Sequence, residues 1–304
     1  MNHLKFISFS VLLSLIVFKS NGQQLNLNQN SHFNLLNENI GFAGNYNATH
    51  FSVNYYKLWS IKGAPTSFNF SAHMPLQKRK LGLAIKADRT AIGAHEEVSV
   101  KGVFAYKLAL GSGRLSFGLG GGFRQYNFNS SELVVLDVEN ETYNFSELNN
   151  TILDVDFGVI YTDNRNFIGL EINQLTSSDW NLNDTDNSAQ IPHFKIAGGH
   201  VFPMKELNFL RVSAHIRSDT NLQLQSDFLL NYLYQNKIWI GGGIRLDYGL
   251  LAQLEINFSK RFHAGYTAGV PLSRSLKTFT ASHSIFLGYM LPSDKSKAPS
   301  LGKF

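Results

Sequence analysis

Alternation of apolar and polar residues at every second position is the feature that most constrains the fold of this 304-residue chain. The clearest case is residues 50–75, where Gly63-Ala64-Pro65 is a turn signal between two arms. Within the second arm, polar residues alternate with four apolar ones, Phe68, Phe70, Ala72 and Met74. A period of two predicts a strand with one apolar and one polar face. This segment is therefore predicted to be a β-hairpin.

The same alternation returns along residues 50–291, most clearly in residues 153–161, 210–217, 237–247 and 251–258. About fourteen strands can be counted. A soluble β-sandwich also buries one apolar face, but it rarely has so many long strands with uniformly apolar faces. An outer-membrane barrel turns its apolar face to lipid and its polar face to the lumen, and the sheet closes because backbone groups at membrane depth need partners. The predicted fold is all-β, a transmembrane outer-membrane β-barrel of about 14 antiparallel strands.

Connection lengths support a barrel independently. Outer-membrane barrels keep short turns in the periplasm and long loops outside, so long connections belong at odd-numbered positions. The fifth connection (residues 130–150) and the seventh (174–191) are long, the thirteenth (271–277) is of middle length, and the even-numbered connections are short. The final strand, residues 279–291, is predicted to close the barrel by pairing with the first.

This parity places the turn of the first hairpin outside the membrane. Aromatic girdles lie at the membrane interfaces of such barrels. Tyr55, Tyr56 and Trp59 are therefore predicted to approach the outer interface, with Trp59 as an interface anchor rather than a pocket residue.

The ends of the chain are assigned separately. Residues 1–22 combine Lys5, an apolar stretch and small residues before Gln23, which is typical of a signal peptide. Residues 23–49 are predicted to be a periplasmic N-terminal segment that plugs or braces the barrel, residues 50–291 the barrel, and residues 292–304 a periplasmic tail.

Composition agrees with a lipid-facing wall and excludes several function classes. Charged residues make up 16% of the chain, against about 25% in soluble proteins. The absence of cysteine excludes thiol catalysis and cysteine-ligated metals. The net charge of +5 is dispersed, which argues against nucleic-acid binding.

Motifs that could indicate enzymatic chemistry are incomplete. The glycine-rich residues 118–122 have Phe123 where a dinucleotide loop needs a third glycine, so we interpret them, like residues 241–243, as strand with small residues facing a crowded lumen. Residues 95–97 (His-Glu-Glu) lack the second histidine of a metalloprotease motif, and residues 183–187 lack the glycine and distant glutamate of a calcium loop. No catalytic, cofactor-binding or metal-binding residue is assigned, and no cofactor is expected.

The predicted lumenal face carries charges of both signs: Lys101, Arg114, Arg124, Asp154, Asp156, Glu171, Arg211, Arg217, Arg245 and Glu255. These side chains either line a solute pathway or pair across the lumen and fill it. Mixed signs favour pairing, because a selective pore usually shows one dominant sign.

A succession of short motifs runs through the chain. In order they are Phe42-Ala43-Gly44, Tyr56-Lys57-Leu58-Trp59, Gly63-Ala64-Pro65-Thr66, Ala105-Tyr106-Lys107-Leu108, Phe123-Arg124, Phe167-Ile168-Gly169-Leu170, His193-Phe194, Trp239-Ile240-Gly241, Arg245, Gly265-Tyr266, Ser282-His283 and Leu287-Gly288-Tyr289. In order and spacing this succession resembles the PorP/SprF family, outer-membrane proteins of the type IX secretion system of Bacteroidota. The early segment lacks the family's usual proline, Lys57 replaces an arginine, and Thr267-Ala268 replaces Tyr-Asp.

The resemblance implies a non-enzymatic role in exporting proteins with C-terminal sorting domains, including gliding adhesins, and in holding them at the surface. The implied partners are the type IX secretion translocon, periplasmic ring or peptidoglycan-binding lipoprotein components, the secreted substrates and outer-membrane lipid, with no nucleic acid. Two alternatives stay open: an outer-membrane porin or small-solute transporter, and a soluble exported adhesin.

Overall fold

The chain forms a closed antiparallel β-barrel. The computed structural model describes residues 33–46, 48–59, 62–76, 80–129, 148–176, 179–181, 187–220, 224–246, 248–272 and 281–292. The predicted signal peptide, the residues 183–187 motif, the tail after residue 292 and most of the long loop at residues 130–150 lie largely or wholly outside these ranges. Among the described residues, no helix is long and apolar enough to cross a membrane.

Fourteen strands make the barrel. They are β1 (Ala48–Lys57), β2 (Thr66–Leu76), β3 (Leu81–Ile92), β4 (His95–Leu110), β5 (Gly113–Phe128), β6 (Leu148–Thr162), β7 (Asn166–Asn173), β10 (His193–Pro203), β11 (Phe209–Asp219), β12 (Leu224–Tyr234), β13 (Ile238–Arg245), β14 (Gly249–Asn257), β15 (Phe262–Pro271) and β16 (Ser282–Pro292). Two further strands, β8 (Asp179–Asn181) and β9 (Asn187–Ala189), form a separate pair within the seventh connection of the barrel. The predicted all-β outer-membrane barrel is confirmed.

The barrel closes between its first and last strands. β1 pairs with β16 along its whole length, from Ala48 opposite Pro292 to Lys57 opposite His283. Every other strand pairs with the strand before and after it in the wall. The predicted closure by the final strand is therefore correct, with strand ends shifted by a few residues.

Residues alternate between lipid and lumen along each strand, as the period of two predicts. In β2, for example, Phe68 is 44% exposed while its neighbours Ser67 and Asn69 are buried inside the barrel. The apolar residues point outward and the polar ones inward, the reverse of a soluble sandwich. Uniform outward exposure of Phe, Leu and Ile is stable only against lipid.

The connections obey the predicted parity. The β5–β6 and β7–β10 connections are long, and the turns at the other end, for instance Gly111–Ser112 between β4 and β5, are short. Because the short turns lie at the end where β1 begins and β16 ends, we assign that end to the periplasm.

The first hairpin corrects one prediction. Tyr55 faces outward and is 44% exposed, as expected. Tyr56 instead faces the lumen with 1% exposure, and Trp59 packs against a cluster of Tyr56, Leu58 and Tyr248 inside the outer half of the barrel. The alternation itself required Tyr56 to point away from Tyr55, so these two tyrosines could not both anchor the interface. Trp59 lies beyond β1, where the chain turns in over the lumen.

Candidate functional site: a lumen filled by the N-terminal segment

Residues 33–46, which we call the plug, lie inside the barrel. The plug contains two short 3₁₀ turns, Leu35–Asn37 and Ile40–Phe42, each preceded by an asparagine whose side-chain oxygen accepts from the backbone two residues on. The plug contacts strands on every side of the wall, from β1 and β2 through β5 to β7 and on to β11 and β16. The described part of the N-terminal segment therefore occupies the lumen.

The plug is anchored by an apolar core. Leu35, Leu36, Ile40 and Phe42 are at most 3% exposed. They pack against apolar lumenal residues of the wall: Val103, Ala105, Ile160, Phe167 and Ala197. Burying each such side chain contributes about 1.5–3 kcal/mol before the entropy of ordering the segment is subtracted. This packing makes the plug part of the folded core.

Three glycines on adjacent strands lie directly against the plug. Gly118 of β5 lies against the plug backbone, and a Cβ there would be 2.5 Å from Gly41 N. A Cβ on Gly158 of β6 or Gly169 of β7 would be 2.7 or 2.8 Å from the Asn39 amide. These glycines form what we call the glycine pocket. The predicted interpretation of residues 118–122, small residues facing a crowded lumen, is correct at Gly118 and Gly120, whereas Gly121 faces outward.

The pocket lets Asn39 reach the backbone of the wall. Its Nδ2 donates to the carbonyl oxygens of Val159 at 3.0 Å and Leu170 at 2.9 Å. A second asparagine, Asn34, donates to the hydroxyls of Ser52 and Ser71 at 2.7 and 2.9 Å. Asparagine side chains thus tie the plug to both sides of the barrel.

A buried ion-pair network joins the plug to β11–β13. Glu38 is 2% exposed and pairs with Arg217 at 2.9 Å and with the His215 ring at 3.2 Å. Arg217 also contacts Asp227 at 3.0 Å, and Asp227 contacts Arg245 at 2.7 Å. Burial by itself would raise the pKa of Glu38, but the Arg217 charge and the His215 hydrogen bond hold that pKa well below its ordinary value.

A second network lies on the opposite wall. Lys101 contacts Asp154 at 2.9 Å and Asp156 at 2.6 Å, and Arg124 contacts Asp154 at 2.8 Å and Glu97 at 2.9 Å. These contacts pair lumenal charges of opposite sign on β4, β5 and β6. The expectation that such charges pair, instead of lining an open path, is correct for this set.

The remaining predicted lumenal charges have other environments. Glu171 contacts Lys195 at 3.2 Å and accepts from the Ile40 backbone of the plug. Glu255 contacts the His263 ring at 2.7 Å. Arg211 stacks over Trp239, with its guanidinium carbon 4.5 Å from the ring centroid. Arg114 is half-buried near the periplasmic end of β5.

The periplasmic mouth is lined by histidines. The Gly44 backbone donates to His73 Nδ1 at 2.9 Å, and the Nε2 atoms of His50 and His263 lie 3.1 Å apart. Tyr46 packs edge-on to His50, and Lys107 Nζ donates to the Gly44 carbonyl oxygen. The C-terminal end of the plug, which precedes β1, therefore lies within a packed layer of polar side chains. Among the described residues, no three His, Asp or Glu side chains are grouped so that they could hold a metal ion.

Sequence reasoning missed four of the residues that hold the plug: Glu38 and Asn39 in the plug itself, and Lys195 and His215 in the wall. One signal was available. Glu38 is the only Asp, Glu, Lys or Arg between residues 23 and 56, and a lone acid in an uncharged segment next to a barrel indicates a specific partner.

Comparison with known proteins gives one family. The family described as "Type IX secretion system membrane protein PorP/SprF" matches residues 19–289. No curated protein sequence matches the chain.

Solved structures resemble the barrel at low sequence identity. The toluene transporter TbuX of Ralstonia pickettii has a TM-score of 0.51 and 10% identity, over 83% of this chain and 90% of that one. The P. putida toluene transporter TodX has a TM-score of 0.49 and 9% identity, over 84% and 92% of the two chains. Omp33 of Acinetobacter baumannii has a TM-score of 0.46 and 7% identity, over 82% and 98%. The likeness to TbuX supports the outer-membrane barrel fold alone.

Proposed function

The chain belongs to the PorP/SprF family of type IX secretion system membrane proteins, and we propose that it is a non-enzymatic outer-membrane component that supports export of proteins with C-terminal sorting domains. We further propose that it supports the attachment of those proteins, including gliding adhesins, to the cell surface. The observation that carries it is the family match over residues 19–289. The partners we propose are the secretion translocon, periplasmic ring or peptidoglycan-binding lipoprotein components and the secreted substrates.

The filled lumen supports a role other than conduction. A solute pore needs a continuous aqueous path, and its lining charges usually have one dominant sign. Here Glu38 pairs with Arg217, Lys101 pairs with Asp154 and Asp156, and Leu36 and Ile40 are wholly buried between the walls. We therefore infer that partners act on the outer and periplasmic surfaces of the barrel, and that the secreted chain does not pass through its lumen.

Gene deletion tests the secretion role. We expect a deletion strain to stop exporting a reporter that carries a sorting domain, while assembly of an unrelated outer-membrane protein continues. Complementation with the intact gene should restore export, and complementation with the conservative outward-facing variant Leu119→Ile should restore it equally. Normal secretion and surface display in the deletion strain would contradict the proposal.

The alternative is an outer-membrane porin or small-solute transporter, which the charged lumenal face favours. Planar-bilayer recording of the purified protein separates the two. We expect no stable single-channel current at neutral pH. Discrete, solute-dependent currents, together with normal secretion in the deletion strain, would favour the transporter.

A further inference from the structure

The periplasmic end of the barrel carries a ring of basic side chains. The exposed members in the short turns and at their edges are Lys80, Arg165, Lys205, Lys237, Lys260 and Arg261. They come from five different turns, those between β2 and β3, β6 and β7, β10 and β11, β12 and β13, and β14 and β15. The charge is therefore distributed around the circumference instead of forming one patch.

These charges are not neutralised by the protein. Among the residues that the structure describes, none of the six forms an ion pair. The acids in the described periplasmic turns are Asp163 and Glu206. Asp163 Oδ1 already accepts from the backbone of Arg165 and Asn166 at 2.7 Å. The ring thus has a net positive charge that faces outward.

The two long connections at the opposite end of the barrel are acidic. In sequence, the β5–β6 connection contains five acids, Glu132, Asp137, Glu139, Glu141 and Glu147, and no base. The β7–β10 connection contains Asp179, Asp184 and Asp186, again with no base. The outer connections also contain Lys62, Arg274 and Lys277, but their acids outnumber these bases. The two ends of the barrel therefore differ in charge, and the periplasmic ring is a local feature that the modest overall net charge conceals.

Large apolar side chains stand beside the basic ones. Met204 and Leu207 flank Lys205 and are 54% and 64% exposed, and Phe258 and Phe262 flank Lys260 and Arg261 and are 68% and 56% exposed. Exposed apolar and basic side chains at the same depth along the barrel are typical of a membrane interface. There the apolar side chains insert into the acyl boundary while the basic ones lie beside the charged headgroups.

We propose that this basic ring binds the phosphate headgroups of anionic phospholipids in the periplasmic leaflet. Lipid surrounds the barrel on all sides, so a ligand of that kind matches charges drawn from five turns around the circumference. Each Lys or Arg near an anionic surface contributes about 1 kcal/mol, which is roughly a fivefold preference. The ring would fix the depth and tilt of the barrel. This inference does not depend on the secretion role.

Lipid retention tests the proposal. The full-length protein is placed in nanodiscs that contain equal amounts of phosphatidylcholine and phosphatidylglycerol, then released in detergent, and its co-purifying lipids are quantified by native mass spectrometry. We expect at least about fivefold enrichment of phosphatidylglycerol, decreasing as salt is raised because exposed charges are screened. Equal retention of both lipids would overturn the proposal.

Charge-neutralising variants locate the site. The quadruple variant Lys205→Gln, Lys237→Gln, Lys260→Gln and Arg261→Gln should lose the enrichment. The control variants Lys62→Gln and Arg89→Gln remove bases at the other end of the barrel and should retain it. Heat-modifiable migration on a gel verifies that each variant is folded. Unchanged enrichment in the folded quadruple variant, or equal loss in the controls, would contradict the assignment. Binding of soluble polyglutamate without any lipid preference would instead indicate an acidic protein partner and would also overturn it.

Discussion

Arg217 Nη2 donates a hydrogen bond to Glu38 Oε1 at 2.9 Å, and this pair joins the plug to β11 inside the barrel. Both side chains are almost completely buried, so neither charge can be satisfied by water once the other is removed. Arg217 forms a second ion pair with Asp227, and Asp227 in turn pairs with Arg245. The position of the plug and the charge balance of the wall are therefore coupled.

Removing the Glu38 charge should loosen the plug. In Glu38→Gln, Arg217 keeps Asp227 but loses its contact with the plug carboxylate, and we expect a cost of about 2 kcal/mol in plug docking. That cost raises the undocked population roughly thirtyfold. The chain has no cysteine, so Asn37→Cys supplies a single thiol whose maleimide labelling rate reports undocking.

The control for that experiment is Glu96→Gln. Glu96 forms an exposed pair with Arg89 on the outer wall, and such pairs contribute about 1 kcal/mol or less. When Glu96→Gln is combined with Asn37→Cys, the labelling rate of the thiol should match the rate in the protein that carries Asn37→Cys alone. Equal rates in Glu38→Gln and Glu96→Gln would show that the buried pair does not hold the plug.

Adding a methyl group to the glycine pocket should displace the plug without opening the barrel. In Gly118→Ala the new Cβ meets the plug backbone at Gly41 and Ile40, and overpacking of this kind costs typically about 1–3 kcal/mol. Gly121→Ala, three residues along the same strand, adds a methyl group to open space on the outer face. We expect faster labelling of the Asn37→Cys thiol in the first variant only, with both barrels still heat-modifiable.

Plug docking should weaken in acid. The folded pKa of Glu38 lies well below its ordinary value of 4.5, so its contribution is complete above pH 4.5 and is lost as the pH falls through the folded pKa. The labelling rate of the Asn37→Cys thiol can be measured with a probe whose reaction with thiols does not depend on pH. This rate should be constant down to about pH 5 and rise below it. The Glu38→Gln variant should show a smaller rise. A rise of equal size in both proteins would assign the effect to another group.

The closure register can be tested by cross-linking. Tyr55 lies opposite Ile285 across the β1–β16 seam, and both side chains face outward. Cβ atoms of directly opposed residues are about 4.5–5.5 Å apart, close to what a disulfide needs. Tyr55→Cys with Ile285→Cys should therefore cross-link under mild oxidation. The pair Tyr55→Cys with Leu287→Cys, two residues out of register, should not, and efficient cross-linking there would show a slipped seam.

Local sequence patterns were sufficient to predict the strands of the barrel wall, but not the environment of side chains beyond the strand ends. The alternation in residues 66–76 and 153–161 predicted which residues face lipid, because side-chain direction in a strand depends only on position along it. Trp59 was wrongly predicted as an interface anchor because it follows the end of β1, where the period of two no longer applies.

The sequence by itself determined the closed barrel, its fourteen strands, the end that bears the long loops and the family. All of these follow from periodicity, connection length and motif order, which are properties of neighbouring residues. Only the tertiary structure decided what fills the lumen and which charges pair. The Glu38–Arg217 contact joins residues 179 positions apart. Such a pairing is decided by the register and curvature of the closed sheet, to which no local pattern refers.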